Sequence, residues 1–210
     1  MRTAILLLAL CTSPLSWATL IEVDPDAFAA GTQLNNAFSG VTLSATGVLV
    51  DNGTVDPDIF STEASSINPA LAASTGSRVF GVNPNQFFPR DWLVLELRAD
   101  FAQPTDYVSL DFIGYVDPIP GSEDRGMGVL AIYDSTDSLI TELHTGSLIL
   151  NEVRTLDYSG SDIAYVVARM QGIDTPVVTD RLRFNVPEPH TIFLFIAGLL
   201  LIGRLKHTHT

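Results

Sequence analysis

Between its two ends this chain repeats one signal, an alternation of apolar and polar side chains with a period of two. In Trp92-Leu-Val-Leu-Glu-Leu-Arg98, Leu93, Leu95 and Leu97 fall on one side, and Glu96 and Arg98 on the other. In Tyr107-Val-Ser-Leu-Asp-Phe-Ile113, Val108, Leu110 and Phe112 alternate with Ser109 and Asp111. In Arg181-Leu-Arg-Phe184, two arginines alternate with Leu182 and Phe184. This is the pattern of strands with one face in a core and one in water, and no stretch sustains a helical period. Further strands are expected over Leu20–Val23, Val41–Val50, Arg78–Val82, Gly128–Tyr133, Leu139–Leu143, Val153–Leu156 and Ile163–Met170. Turn chemistry separates them at Asp51-Asn52-Gly53, Asp117-Pro118-Ile119-Pro120-Gly121, Ser159-Gly160 and Thr175-Pro176. Short strands joined by such turns predict an all-β fold, a two-layer antiparallel β-sandwich. A lone short helix is expected near Leu34–Phe38 or behind Pro69 over Asn68–Ala73, and Ser61 to Ser77 reads as a long loop.

Composition bounds what such a sandwich can do. The chain has 210 residues, room for one ordinary domain. Apolar residues make up 46% and charged residues 17%, which excludes a charge-rich disordered chain. The net charge is −13, so the basic footprint of a nucleic-acid binder is missing. Cys11 is the only cysteine, so neither a disulfide framework nor a multi-cysteine zinc site can form. Setting aside Arg2, Arg204, Lys206 and Glu188 at the ends leaves 8 basic and 23 acidic residues in the body.

Both ends read as targeting segments. Arg2 is followed by the apolar run Ala4 to Leu10, the break at Pro14, and Ser16-Trp17-Ala18. That order predicts a signal peptide over 1–18, cut between Ala18 and Thr19. At the other end Val186-Pro187-Glu188-Pro189 precedes an apolar run from Ile192 to Gly203 and the basic tail Arg204-Leu205-Lys206-His207. The prolines close the body at about residue 185. The run is about 18 Å of helix against roughly 30 Å of hydrocarbon. A transmembrane helix would therefore extend over about 190–205, with Arg204 and Lys206 snorkelling and the tail cytoplasmic. The expected organisation is a signal peptide (1–18), a β-sandwich ectodomain (19–185) and a terminal segment (186–210).

The terminal segment resembles the PEP-CTERM sorting signal of Gram-negative bacteria, with Pro187-Glu188-Pro189 matching the core motif and Val186 and Arg204 flanking it and the helix. The resemblance implies recognition by an exosortase, a membrane transpeptidase. It also implies transient anchoring in the inner membrane with the body in the periplasm. Cleavage near the motif and delivery to the cell surface or extracellular polysaccharide matrix would follow. Phe28-Ala-Ala-Gly31-Thr32-Gln-Leu34-Asn-Asn-Ala-Phe38-Ser-Gly40-Val41-Thr-Leu43 resembles the opening of a jelly-roll domain often found ahead of this signal. Asp180-Arg181-Leu182-Arg183-Phe184 resembles its closing strand. This second resemblance implies a galactose-binding-like jelly roll. It also implies a structural calcium clipping the first strand to the last, at Glu22, Asp24 and Asp180.

The residues themselves leave the chemistry open. Val23-Asp24-Pro25-Asp26-Ala27-Phe28 and Val55-Asp56-Pro57-Asp58-Ile59-Phe60 repeat one acidic pattern. Such loops supply hard oxygens for calcium, with Asp51, Asp56 and Asp58 as a second candidate set, or serve as solvated turns. Phe87, Phe88, Trp92, Tyr115 and Tyr158 are candidates to stack on sugars or to fill the core. No Gly-x-Ser-x-Gly, His-Glu-x-x-His or phosphate loop occurs, and His144 is the body's single histidine. The sequence thus predicts a non-catalytic exported surface or matrix protein that binds or scaffolds exopolysaccharide. A secreted carbohydrate-active hydrolase, which needs only two placed carboxylates, and a purely structural coat protein are the alternatives.

Overall fold

A computed structural model describes residues 18–49, 58–67, 69–81, 93–114, 126–171 and 177–186. Residues Leu20–Val186 form one compact unit. Its strands are β1 (Thr19–Val23), β2 (Val41–Leu49), β3 (Phe60–Glu63), β4 (Arg78–Gly81), β5 (Leu93–Gly114), β6 (Gly126–Tyr133), β7 (Leu139–Leu148), β8 (Val153–Gln171) and β9 (Val177–Val186). The main ladder runs β1-β9-β5-β8-β6-β7, with β2 also on β5, and β3 pairs with β4 separately. The pairings of β2, β6, β8 and β9 are antiparallel, as the alternation predicts.

The ladder is folded over on itself by two long strands. The first half of β5 pairs with β2, from Leu49↔Leu93 to Val41↔Phe101. Its second half pairs with β9, from Val108↔Phe184 to Gly114↔Val177. Between the halves the register of β5 against β8 slips, once between Asp100 and Thr105 and again before Tyr107. Extra residues bend and over-twist a strand, which lets it cross from one layer to the next. On β8 the same corner carries Asp162 in the left-handed region, φ 62. The result is visible in distances. From Phe101 to Val108 a straight strand would span about 23 Å. Yet Phe184, the partner of Val108, lies against Phe101 with ring centroids 4.9 Å apart.

Two layers follow. One holds β2, the first half of β5, the second half of β8, β6 and β7. The other holds β1, β9, the second half of β5 and the first half of β8. Leu97, Ala99, Phe101, Leu130, Ile132, Val166 and Ala168 of the first layer share one core with Val108, Leu110, Phe112, Leu182 and Phe184 of the second. Burying each such Leu or Phe contributes about 1.5–3 kcal/mol. Contact is close enough that a Cβ on Gly128 would lie 2.2 Å from the Phe112 ring. On β9 the alternation is reset by Arg181, a bulge residue at φ 40. Leu182 and Phe184 therefore face inward while Asp180 lies beside Asp111 on the outer face.

That outer face is covered by a third element. The stretch 58–81 contains β3, a one-turn helix α1 (Ala64–Ile67) and β4. Its Ala64, Leu71 and Val79 pack on Ile113 and Val178. Three sequence expectations change here. Ser61 to Ser77 is not a loop throughout, since Ser61–Glu63 is strand and Ala64–Ile67 is helix. The helix is not at Leu34–Phe38, which makes turns, and Pro69–Ala73 is irregular. Ser159-Gly160 is a bend inside β8 rather than a turn between strands. The expected turns at Asp51-Asn52-Gly53, Asp117–Gly121 and Thr175-Pro176 lie outside the described residues.

Candidate binding face

The two outer faces of the sandwich carry different chemistry. On the four-stranded layer, Asp111 and Asp180 are fully buried beneath the loop Ser74–Arg78. Asp180 Oδ2 accepts from the Ser74 N–H (2.9 Å), the Ser74 hydroxyl (2.8 Å) and the Thr75 N–H (3.2 Å). Its Oδ1 accepts from the Arg181 N–H at 2.8 Å. Burial pushes the Asp180 carboxyl above the usual carboxylate range, and these hydrogen bonds pull it partly back. Asp111 accepts from the Thr155 hydroxyl at 2.6 Å and pairs with Arg181 at 2.9 Å. Asp26 Oδ1 accepts from the Ser77 and Arg78 N–H groups at 2.9 and 3.1 Å. Gly76 sits on that carboxylate at φ +48, where a Cβ would lie 2.3 Å from it. Each carboxylate holds a donor of the covering loop, so this cluster is covered by its own chain, while Val153, Thr155 and Asp157 on the β8 side of the layer are exposed.

The five-stranded layer is different. The residues that alternate with its core positions point outward and form rows across the strands. Asp100, Tyr165, Tyr133 and Leu139 are successive cross-strand partners. Arg98, Val167, Ala131 and Glu142 form the next row, and Arg169, Val129 and His144 a third. Tyr133 and Tyr165 are half-buried and stacked, with centroids 4.6 Å apart and planes 9° from parallel. The Arg98 guanidinium lies 3.8 Å from the Tyr165 ring centroid on the strand next to it. Arg98 also binds Asp100 at 2.6 Å. In the neighbouring rows Arg169 and His144 both reach Glu142, at 2.5 and 3.3 Å. Desolvation and the Asp137 carboxylate push the Tyr165 phenol upward, so it stays a protonated donor at neutral pH.

The ladder is therefore rigid, and it is accessible at its margins, whereas Val129 and Ala131 in the middle rows are fully buried. Stacked rings contribute about 0.5–1.5 kcal/mol beyond their area, and an exposed cation–π contact about 0.5–1 kcal/mol. Side-chain exposure is 41% at Asp100, 33% at Arg98 and 42% at His144, and Leu139 is 52% exposed. Phenol hydroxyls, carboxylates and guanidinium groups fixed on strands beside the exposed Leu139 can hold the hydroxyls and C–H faces of a sugar.

The residues singled out in the sequence fall in several places. Asp24 and Asp180 are brought together, both within 3.5 Å of the Thr75 hydroxyl, as is Asp26. Glu22 is not with them. It is half exposed and pairs with Arg183 at 3.1 Å. Glu22, Asp24 and Asp180 therefore do not make one oxygen cage. Among the described residues no group of three or more His, Cys, Asp or Glu side chains is placed to hold a metal ion. Asp58 lies two residues before the start of β3, while Asp51 and Asp56 lie outside the described residues. Tyr158 packs against the core, with Gly160 against its ring, while Phe87, Phe88, Trp92 and Tyr115 lie outside the described residues. Val186 ends β9 and Thr19 begins β1, whereas Pro187, Glu188, Pro189 and Arg204 lie outside the described residues. Among the described residues no helix is long and apolar enough to cross a membrane. Sequence reasoning missed Tyr133 and Tyr165. Their signal was an aromatic at an outward strand position, next to buried Ile132 and Val166.

No family model and no curated protein matches the chain. Among solved structures it is similar to a cleaved adhesin domain of Lys-gingipain, at 12% identity and TM-score 0.45, covering 80% of this chain and 100% of that one. It is also similar to the xylan-binding domain of a Paenibacillus barcinonensis protein, at 12% identity and TM-score 0.36, covering 83% and 99%. A family 35 carbohydrate binding module from Clostridium thermocellum aligns at 11% identity and TM-score 0.32, over 80% and 98%. Likeness at this distance carries nothing about ligand or activity.

Proposed function

We propose that this is an exported, non-catalytic surface or matrix protein that binds polysaccharide on the outer face of its five-stranded layer. The observation that carries the reading is the contrast of the two faces. One has its carboxylate cluster covered by the chain's own loop, and the other leaves a stacked tyrosine pair beside the Arg98–Asp100 ion pair half exposed. Export and sorting are supported by the order of the terminal sequences alone, a signal peptide first and Pro187-Glu188-Pro189 with its apolar run and basic tail last. An exosortase and the inner membrane are the partners this order implies, and exopolysaccharide outside the cell is the ligand.

The test is a titration of the purified protein against the producer's own exopolysaccharide and a glycan panel, with reducing ends assayed in parallel. Saturable binding without release of reducing ends is expected. Tyr165→Ala should weaken it by about tenfold or more, since the ring links Arg98 to Tyr133. Release of reducing ends would favour a hydrolase, and no binding of any glycan would favour a coat protein.

A further inference from the structure

Resting on that reading of the open face, we infer that its ligand is an uncharged polysaccharide, held without a bridging cation. Recognition of a carboxylated or sulfated glycan relies on cations free to form charge-assisted, bidentate hydrogen bonds. The described residues offer none. Arg78, Arg98, Arg154, Arg169, Arg181 and Arg183 each bind a carboxylate within 3.1 Å. The two on the open face are committed twice over. Arg98 holds both oxygens of Asp100 and covers the Tyr165 ring, and Arg169 shares Glu142 with His144. The single lysine of the sequence, Lys206, is in the terminal tail.

The long-range field points the same way. With 24 acidic against 11 basic residues, an approaching polyanion meets repulsion that no unpaired arginine among the described residues offsets, Arg90 and Arg125 lying outside them. What the face does present is two internally balanced ion pairs, with the Asp137 carboxylate beside Tyr165 adding negative charge. Leu139 and the edges of two tyrosines offer apolar contact, and the phenols and ion-paired carboxylates offer donors and acceptors for hydroxyl groups. Carboxylates already engaged with arginine still have lone pairs for a sugar hydroxyl, but they lack the free charge that would order a divalent bridge.

The experiment uses the purified full chain against a neutral set (xylan, galactomannan, β-glucan), an acidic set (alginate, polygalacturonate) and cationic chitosan, at low and high salt, with calcium and with chelator. Neutral glycans should bind with affinity changing less than about twofold between about 0.02 and 0.5 M salt. Acidic glycans should bind at least about tenfold more weakly, and chelator should change nothing. The variant D100N/E142Q, which frees both guanidinium groups, should gain about threefold or more for the acidic set. Tightest binding to an acidic glycan or to chitosan, or loss of binding on chelation, overturns the inference. If that binding still falls in Tyr165→Ala, the proposed glycan face stands and only the ligand class is wrong. Absence of binding to all three sets overturns both.

Discussion

The two outer faces are built from the same kinds of residue and put them to opposite use. Asp111 and Asp180 on the four-stranded layer are fully buried, and every nearby donor is a loop amide, a hydroxyl or Arg181. Asp100 and Glu142 on the five-stranded layer are partly exposed and pair with arginines of their own layer. A carboxylate taken out of water is costly unless fully satisfied, and removing its surroundings or the group itself is felt strongly. An exposed ion pair is worth about 0–1 kcal/mol. Similar chemistry is thus structural on one face and nearly free of structural duty on the other, which leaves the second available for a ligand.

The largest expected effect breaks or confirms that contrast directly. Asp111→Ala leaves Arg181 and the Thr155 hydroxyl without their acceptor beneath the covering loop, while Ser74 keeps Asp180. It should cost about 3–5 kcal/mol in urea denaturation. Glu142→Ala, which strips Arg169 and His144 of their partner, should cost less than about 1 kcal/mol. Equal losses in the two variants would mean the open face is as structural as the closed one.

How much of this was readable in advance depends on the face. The inner faces were legible because alternation fixes which residues meet the core, and Leu97, Leu110, Phe112, Leu182 and Phe184 are buried as their patterns require. The merging of segments into long β5 and β8 was not legible, because bulged corners keep the chain extended at Asp100–Tyr107, where the alternation lapses, and at Asp162, near the expected turn Ser159-Gly160. Strand β3 was hidden by its polar composition. Ser61 and Thr62 are buried there, and the Ser61 hydroxyl donates to the Pro25 carbonyl at 2.9 Å, a tertiary partner no local pattern reveals. Of the acidic residues, Asp24 and Asp180 meet at the Thr75 hydroxyl, a loop partner no local pattern reveals, and Glu22 pairs with Arg183 on the neighbouring strand. The tyrosine ladder needed the register of β6 against β8, which sequence alone does not supply.

A second, smaller effect concerns pH. Burial raises the Asp180 carboxyl above its ordinary value of 3.8, so the folded state holds that proton more tightly than the unfolded chain. The stability it contributes is fully present below the ordinary value and is lost as pH rises through the shifted one. Asp180→Asn does not titrate. Its deficit relative to the parent should therefore be larger at about pH 3 than at about pH 7, in paired denaturation curves. A deficit that grows toward neutral pH would mean the Ser74, Thr75 and Arg181 donors outweigh desolvation. The anchor would then be a stabilised anion.

The smallest effect separates two serines of the closed face. The Ser74 hydroxyl lies 2.8 Å from Asp180 and 2.9 Å from Asp111, bridging β9 and β5. The Ser109 hydroxyl, two residues before Asp111 on the same strand, is buried without a hydrogen-bond partner. A bridging hydroxyl lost from between buried carboxylates costs about 1–3 kcal/mol, whereas a buried hydroxyl that bonds nothing costs stability by being there. Ser74→Ala should therefore lower the unfolding free energy, and Ser109→Ala should leave it unchanged or raise it by up to about 1 kcal/mol. The comparison is internal, since one substitution removes a hydroxyl from the covering loop and the other a hydroxyl from a strand of the layer it covers. If Ser109→Ala were as damaging as Ser74→Ala, the closed face would be held by packing alone. Its carboxylates would then be passengers, and the distinction between a face built for stability and a face left for a ligand would fail.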